Sequence, residues 1–454
     1  MDRGWHSWMR HFGTLVVLAL TVGDALAQTV LPNPEVSHSS APAVVSATAA
    51  QIYAAAQPSL LQVRTVVDTA GRAISVGSGF LVTTDGLGIT NYHVVSQYAL
   101  DPKSYHLEYV RPNGTNGALR LLAVDVADDL AVVRLEASHL PHLGFDPDAA
   151  ALPLGASVYA LGNPLNRGFT IVGGTYSGFV ERSYNERLQF TGALNPGMSG
   201  GPTVSGDGQV MGINEAVVTD GQLTSVLVPA SKAVALLARA RTSAPPAVAQ
   251  MRGAIEHQVL TWQSGYYKAI EARGFRKAAF GPYQAPVSAA PWFDCAAQTN
   301  VEQEPKPRAQ VDSSVCVSQS WLPIAEGLQI GRVQLTNTYV RSGDLNAFQF
   351  AAFVSEYYGS DTLASLGSLN RMTPPQCHED FVAPSVAAGA PPLRATWCAR
   401  AYRDFPGVYD VRMATVTQDK DGTALISRLT MQGVGYDDAM TLSESVMGAI
   451  AWKK

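Results

Sequence analysis

Short apolar runs rich in β-branched residues, separated by turn residues, fill the chain from Gln51 to Ala240. Leu60 to Val67 and Gly79 to Val82 are two such runs, and Asp85-Gly86 marks a hairpin turn after the second. Runs of this length with regular turn signals are typical of strands in all-β sandwiches and barrels. The pattern predicts an all-β region, closed by a short helix over Ser231 to Ala240.

Composition limits the classes of protein to which the chain can belong. The 454 residues carry 32 Lys+Arg and 37 Asp+Glu, a formal charge of -5, which does not favour nucleic-acid binding. Hydrophobic residues make up 46% and charged residues 15%, so the chain can bury a large core. The length allows two or three domains.

The amino terminus has the pattern of a cleaved export signal. Arg3 and Arg10 precede an apolar run from Phe12 to Val22, and Ala25-Leu26-Ala27 provides a small-x-small cleavage site. We expect a signal peptide over 1–27, a flexible leader over 28–50 and a periplasmic or secreted protein without a membrane span after cleavage. An uncleaved anchor is the alternative, but about 11 apolar residues are fewer than a spanning helix needs.

The four cysteines all lie in the last third of the chain, at positions 295, 316, 377 and 398. In an oxidising compartment they indicate two disulfides, although four cysteines allow three pairings. We expect the local pairing, Cys295 with Cys316 and Cys377 with Cys398, which closes two loops of about 20 residues each. A four-thiolate zinc site is a weaker alternative, because zinc ligands usually come in pairs spaced by two to four residues.

Residues 241–257, with Pro245-Pro246, predict a linker, and 258–454 predict a disulfide-bearing α+β domain of unknown function. Its alternating runs and turn predict a hairpin, Val408 to Thr417 and Ala424 to Met431 around Asp421-Gly422, and apolar residues at helical spacing predict a helix from Asp437. Trp262, Tyr266, Tyr267 and Phe275 are expected on a packed helix rather than at a ligand site.

Three segments of the β-rich region bring together residue types used in nucleophilic catalysis. They are Gly77-Ser78-Gly79 with Thr90-Asn91-Tyr92-His93-Val94-Val95, then Asp128-Asp129-Leu130-Ala131, then Asn195-Pro196-Gly197-Met198-Ser199-Gly200-Gly201-Pro202. A serine hydroxyl needs an imidazole to accept its proton and a carboxylate to orient that imidazole. One of each is present, in the order His, Asp, Ser.

These segments resemble the catalytic motifs of trypsin-like serine proteases of the HtrA/DegP type, which read TN-x-HVV, D-x-x-x-D-[IL]-A and GNSGGP. The resemblance covers about 190 residues, over 51–240, and implies a double β-barrel. By this resemblance His93 is the general base, Asp129 its orienting carboxylate and Ser199 the nucleophile. Asp128 is expected to be exposed, because neighbours in a strand face opposite sides.

The resemblance also implies the residues around the scissile bond. The amides of Gly197 and Ser199 would form an oxyanion hole. Ala193 and Leu194 would form the base of the primary pocket with Val226 to Val228 opposite, which predicts small or aliphatic side chains before the scissile bond. The strand from Gly212 through Ile213 and Asn214 to Ala216 would pair with the backbone of an extended, unfolded polypeptide.

Two features depart from the family pattern. Met198 stands where relatives usually have Asn, so charge cannot anchor the nucleophile loop, and packing or substrate must order it. No PDZ-like pattern follows residue 250, so the family's oligomeric assemblies are not carried over and the oligomeric state is left open.

Other functions are weighed against this one. Gly197-Met198-Ser199-Gly200-Gly201 also satisfies the G-x-S-x-G elbow of α/β-hydrolase esterases, but the following residues predict a hairpin rather than a helix. A catalytically weak protease-like fold used as a binding module or holdase is the second alternative. No metal or organic cofactor is expected, since His139-Leu-Pro-His142 contains Pro141 and cannot take the helical spacing of a metal pair.

Overall fold

Antiparallel strands dominate the first half of the fold, as the short apolar runs predict. The computed structural model describes residues 47–146, 152–217, 224–242, 248–288, 290–325, 327–359, 371–382, 391–418 and 421–453. The expected signal peptide and most of the expected leader lie outside these ranges. These described residues belong to one compact unit.

The first sheet is a half-barrel of seven antiparallel strands in the order β5-β4-β1-β2-β3-β7-β6. Helix α1, Ala47–Ala56, precedes it, and helix α2, Tyr92–Leu100, follows β3. The strands are β1 Leu60–Val67, β2 Arg72–Leu81, β3 Leu87–Thr90, β4 Tyr105–Val110, β5 Asn116–Ala118, β6 Arg120–Asp125 and β7 Leu130–Arg134. The expected hairpin turn at Asp85-Gly86 joins β2 to β3.

The second sheet closes into a six-stranded barrel in the order β10-β13-β12-β11-β8-β9. Its strands are β8 Ser157–Gly162, β9 Thr170–Phe179, β10 Leu188–Thr191, β11 Pro202–Val204, β12 Val210–Val217 and β13 Ser225–Pro229, followed by helix α3, Ala230–Thr242. The all-β architecture expected as a double β-barrel and the closing helix are confirmed, with the second sheet a closed barrel and the first a half-barrel.

The C-terminal region is α+β, as expected. A long helix, α4 Val248–Arg273, begins inside the segment expected to be a linker. It is followed by β14 Phe275–Phe280, β15 Tyr283–Ser288, β16 Phe293–Thr299, β17 Ala309–Ser318, β18 Leu322–Ala325, β19 Leu328–Ile330, β20 Val333–Ser342, α5 Ala347–Gly359, β21 Gln376–Val382, β22 Leu393–Ala401, β23 Tyr409–Thr417, β24 Thr423–Val434, α6 Tyr436–Gly448 and β25 Ala451–Trp452.

A seven-stranded antiparallel sheet, in the order β16-β17-β20-β24-β23-β22-β21, is the centre of this region. The expected hairpin is β23–β24, and the expected helix is α6. Disulfides join Cys295 to Cys316 and Cys377 to Cys398, which is the local pairing favoured by the sequence. Each disulfide ties an edge strand of the sheet to its neighbour.

The largest apolar cluster crosses from the first sheet into the C-terminal region. Tyr92 and Val95 of α2 share it with Ile255 of α4 and Ile324 of β18, all of them fully buried. Trp262, Tyr266 and Tyr267 of α4 also lie in it, as the packed-helix prediction expects, whereas Phe275 lies on no helix and begins β14. The helix that carries His93 is therefore buried between the half-barrel and the C-terminal region.

None of the helices within the described ranges is both long and apolar enough to cross a membrane.

Candidate active site

Asp129 lies in a tight turn between β6 and β7 that is fixed from both sides. Its backbone has φ of 52°, in the left-handed region that Asp and Asn tolerate better than most residues. Its carbonyl oxygen accepts hydrogen bonds from the Tyr92 N–H at 3.0 Å and from Asn91 Nδ2 at 2.8 Å. The Asn of the Thr-Asn-x-His segment thus holds the acidic turn against the start of α2.

His93, the second residue of α2, faces this carboxylate. Asp129 Oδ2 lies 2.6 Å from His93 Nδ1, and Asp129 Oδ1 accepts the backbone N–H of His93 at 2.9 Å. Asp129 is completely buried, whereas one third of the His93 side chain is exposed. The carboxylate orients the ring by its hydrogen bond to Nδ1, which leaves Nε2 for a reacting group.

The electrostatics favour a protonated imidazole more than usual. Burial alone lowers the pKa of His93, but the charge and hydrogen bond of Asp129 and the charge of Glu215 raise it. The net result is a pKa above the ordinary 6.5. A base of this kind takes up a proton readily from a nearby hydroxyl.

Ser199 lies in the same cavity, on the loop between β10 and β11. Its hydroxyl donates to the backbone carbonyl of Glu215 at 3.0 Å. Among the described residues no hydrogen bond joins Ser199 to His93, because the Ser199 hydroxyl is directed to the Glu215 carbonyl. His93, Asp129, Ser199 and Glu215 all line one cavity of about 370 Å³.

The loop around Ser199 is anchored by the half-barrel. Ser78 donates its backbone N–H to the Ser199 carbonyl at 2.8 Å, and its hydroxyl donates to the Gly197 carbonyl at 2.6 Å. Gly197 has φ of 96°, and a Cβ there would lie 2.5 Å from the Asn163 carbonyl oxygen, so only glycine fits. Among the described residues, none accepts a hydrogen bond from the backbone N–H of Gly197 or of Ser199. These are the two donors expected for an oxyanion hole.

Comparison with known proteins gives the family of this segment. Residues 77–213 match the family described as trypsin-like peptidase domain. This segment is a trypsin-like peptidase domain of the HtrA type.

The relatives of the peptidase domain bear matching names. A probable periplasmic serine endoprotease DegP-like of Chlamydia muridarum is 33% identical over 148 residues, which cover 32% of this chain and 28% of the relative. The protein of the same name in Bartonella henselae is 36% identical over 151 residues, 32% of this chain and 29% of the relative. The putative serine protease HhoB of Synechocystis is 31% identical over 166 residues, 35% of this chain and 38% of the relative.

A solved structure, "HtrA-type protease AlgWS227A with tripeptide", aligns with 41% of this chain and 62% of its own, at 24% identity and a TM-score of 0.37. The similarity of this chain to its curated relatives is thus limited to about a third of their length.

Met198 orders the nucleophile loop of the peptidase domain by packing. Its side chain is fully buried in the core of the barrel, beside Val158, Phe190 and Leu227. Its carbonyl oxygen accepts hydrogen bonds from the Gly201 N–H at 3.0 Å and from Asn214 Nδ2 at 3.2 Å. The loop next to Ser199 is therefore held by the apolar packing of Met198 and by hydrogen bonds to its carbonyl, without a polar side chain at this position.

Sequence reasoning did not identify Glu215 and Arg187 as members of the site. Arg187 Nε lies 2.5 Å from Glu215 Oε2, and both side chains are largely buried. Glu215 also lines the cavity, and its backbone carbonyl accepts the Ser199 hydroxyl. The two residues are 28 positions apart, and no local pattern indicates that they meet.

The prediction that Asp128 is exposed is wrong. Only 20% of its side chain is exposed, and its carboxylate pairs with Arg187 at 3.5 Å and with Lys232 at 3.8 Å. Burial raises the pKa of Asp128 above its ordinary value, with nearby Asp125 acting in the same direction. The left-handed turn at Asp129 replaces the strand alternation on which the expectation rested.

The residues expected to bind substrate differ in how buried they are and in whether they line the cavity. Leu194 lines the cavity, and Ala193 and Val226 are half-buried. Ile213 and Val228 instead lie fully buried in the apolar cluster between the two sheets. The Asn214 side chain is also buried, and it donates to the Leu161 carbonyl at 2.9 Å.

The strands already paired with β12 limit which of its residues can form backbone hydrogen bonds with a substrate strand. At Gly212 and Ile213 this strand already pairs with β11 on one side and with β13 on the other. Beyond Asn214, the ladder recorded among the described residues is with β13 alone. Among the described residues, the edge of β12 without a second strand lies over 215–217 rather than at 212 and 213, and there the Glu215 carbonyl accepts the Ser199 hydroxyl.

Proposed function

We propose that this protein is an exported serine endopeptidase that cleaves extended or unfolded polypeptides with His93, Asp129 and Ser199. The observation that carries the proposal is the buried Asp129 carboxylate 2.6 Å from His93 Nδ1, in the same cavity as Ser199. A carboxylate in this position fixes the tautomer that leaves Nε2 as a proton acceptor. The family of residues 77–213 supports the same chemistry.

The reaction begins when the Ser199 hydroxyl turns from the Glu215 carbonyl toward His93 Nε2. The imidazole takes the hydroxyl proton as Oγ bonds to the peptide carbonyl carbon, and the N–H groups of Gly197 and Ser199 stabilise the oxyanion. The imidazolium then gives its proton to the leaving amine as the C–N bond breaks. Water, deprotonated by His93, hydrolyses the acyl-enzyme and restores the hydroxyl.

The substrate lies along the open edge of β12 over 215–217, where main-chain pairing selects extended polypeptide rather than a particular sequence. A small or aliphatic side chain before the scissile bond fits the apolar surface of Leu194 and Pro196. The charge of Glu215 is paired with Arg187, which leaves that carboxylate unsuited to select Lys or Arg.

The location and domain organisation belong to the same proposal. The protein acts in the periplasm or outside the cell, after removal of residues 1–27, as the names of the relatives suggest for those proteins. Residues 51–240 are the peptidase domain, and 258–454 are the disulfide-bearing region that accompanies it.

Labelling by a fluorophosphonate probe, together with casein cleavage, tests the proposal. The wild-type chain should be labelled at Ser199 and should cleave denatured casein, while Ser199→Ala should lose both properties. Ser205→Ala, which changes a serine in the same barrel outside the cavity, is the matched control and should keep both. Ester turnover without proteolysis would favour the esterase, and neither labelling nor turnover would favour a binding module.

A further inference from the structure

A segment of the C-terminal region, Ser320–Ile324, reaches the catalytic cavity from outside the peptidase domain. At one end the Ser320 hydroxyl accepts the backbone N–H of Tyr184, in the β9–β10 loop of the barrel, at 2.7 Å. At the other end the Ile324 carbonyl accepts the hydroxyl of Tyr92, in the His93 helix, at 2.8 Å. The segment is thus tied to the β9–β10 loop of the barrel and to the helix that carries His93.

Strand alternation gives this segment two faces. Ser320, Leu322 and Ile324 are buried, with at most 3% exposed. Trp321 and Pro323 point the other way and line the cavity that contains His93 and Ser199. The Trp321 side chain is 49% exposed, although its neighbours on both sides are anchored in the core.

Trp321 is well suited to bind a substrate side chain. It presents a large, flat apolar surface from a backbone held at both ends, so little conformational entropy is lost when a ligand packs on it. Leu194 and Pro196 of the nucleophile loop line the same cavity. An apolar side chain that enters the cavity is therefore offered apolar surface from the barrel and from the C-terminal region.

We infer that Trp321 is a specificity-determining residue that binds a large apolar side chain of the polypeptide substrate, at a position flanking the scissile bond other than the residue directly before it. The inference rests on the proposed function, and it assigns to the C-terminal region a direct part in substrate selection. Aromatic and branched aliphatic residues of the substrate would gain most, because they can cover the indole face.

The test uses the full chain and fluorogenic peptide sets in which one position at a time around the cleaved bond is varied. We expect Trp321→Ala to lower kcat/KM about tenfold or more for peptides with Phe, Trp or Leu at one position, and less than about twofold for Gly or Ala there. Trp321→Phe should keep most of the preference. Phe348→Ala, which removes an aromatic side chain that is 90% exposed outside the cavity, is the matched control and should change nothing.

Other outcomes would overturn the inference. A rise in rate for all peptides alike would make Trp321 a barrier to the cavity, and an equal loss for all peptides would make it a structural residue. If Trp321→Ala keeps the side-chain preference of the wild type, Trp321 has no role in substrate selection. Melting temperatures of the variants within a few degrees of wild type exclude a folding defect.

A binding measurement separates failure of the inference from failure of the proposed function. In the Ser199→Ala background, peptides with a large apolar residue at the selected position, or at each scanned position if the wild type cleaves nothing, should bind more tightly than their Ala counterparts. Adding Trp321→Ala should remove that difference. If fluorophosphonate fails to label Ser199 in the wild type, the proposed function fails, while this binding comparison still decides the role of Trp321.

Discussion

At the scale of single residues, the position of Asp129 controls the chemistry of His93. Its carboxylate accepts two hydrogen bonds from His93, one from ring Nδ1 and one from the backbone N–H. The charge of Asp129 opposes the effect of burial on the imidazole and keeps the His93 pKa above its ordinary value. The same side chain thus fixes the orientation of the base and the pH at which it is free to act.

The pH dependence follows with a definite sign. Only the neutral imidazole accepts a proton, and the His93 pKa is raised, so kcat/KM should rise with pH through a midpoint above 6.5. In Asp129→Asn the carboxylate charge is lost while burial remains, and the midpoint should move to lower pH as kcat falls by about 10⁴. Asn tolerates the left-handed backbone at this position, so the fold should persist. Peptide hydrolysis followed from pH 5 to 9 measures both effects, and a midpoint that stays in place would contradict the assigned cause.

Met198 gives a second prediction at this scale. The Met198 side chain fills the barrel core, so Met198→Asn should remove apolar contacts and bury a polar amide in their place. Together these changes should lower the free energy of unfolding by about 3 kcal/mol. Met198→Leu keeps the volume and should cost less than about 1.5 kcal/mol. Urea unfolding of the two variants measures the difference. Equal stability of the Asn variant and the wild type would mean that packing does not hold this loop.

At the scale of structural elements, the two disulfides secure the edges of the C-terminal sheet. Strands β16 and β21 are the edge strands, and nearly all their residues are exposed, so burial contributes little to holding them. Cys295 and Cys377 link them covalently to β17 and β22. A cross-link supplies the stability that an exposed edge strand lacks.

Removing one disulfide should loosen one edge only. The double change Cys377→Ala and Cys398→Ala opens a loop of about 20 residues and should lower the free energy of unfolding by about 3 kcal/mol. Amide hydrogen exchange should accelerate in β21 and remain unchanged in β16, the other edge strand, whose disulfide to β17 is intact. Unchanged exchange in β21 would show that backbone hydrogen bonds alone hold this edge.

Neighbouring residues in the sequence predict individual turns, strands and helices well. They do not predict contacts between residues that are far apart in the chain. The turn at Asp85-Gly86 and the helix after Pro229 follow from neighbouring residues, and the structure has both. The pairing of Arg187 with Glu215 and the approach of Trp321 to Ser199 depend on how whole elements pack. The assumed alternation at Asp128 failed because the left-handed turn at Asp129 interrupts it.

At the scale of the whole molecule, the peptidase domain and the C-terminal region share one apolar core. Tyr92 and Val95 of α2 are fully buried in a cluster with Ile255 of α4 and Ile324 of β18. Gln258 of α4 also accepts the Val126 N–H at 2.8 Å and donates to the Val124 carbonyl at 3.1 Å, in the strand that leads to Asp129. The elements that position His93 and Asp129 are thus supported from outside the peptidase domain.

This sharing predicts that the full chain unfolds in one cooperative transition. A fragment that ends at residue 247 would expose the buried face of α2 and lose the contacts of Gln258, and each large apolar side chain left without its neighbours costs about 1.5–3 kcal/mol. We expect the fragment to be insoluble or to lack a sharp thermal transition, and to lose the peptidase activity of the full chain. Calorimetry of the full chain and of the fragment measures this directly. Two separate transitions in the full chain, or a stable active fragment, would mean that the C-terminal region is an independent domain that only rests against the active site.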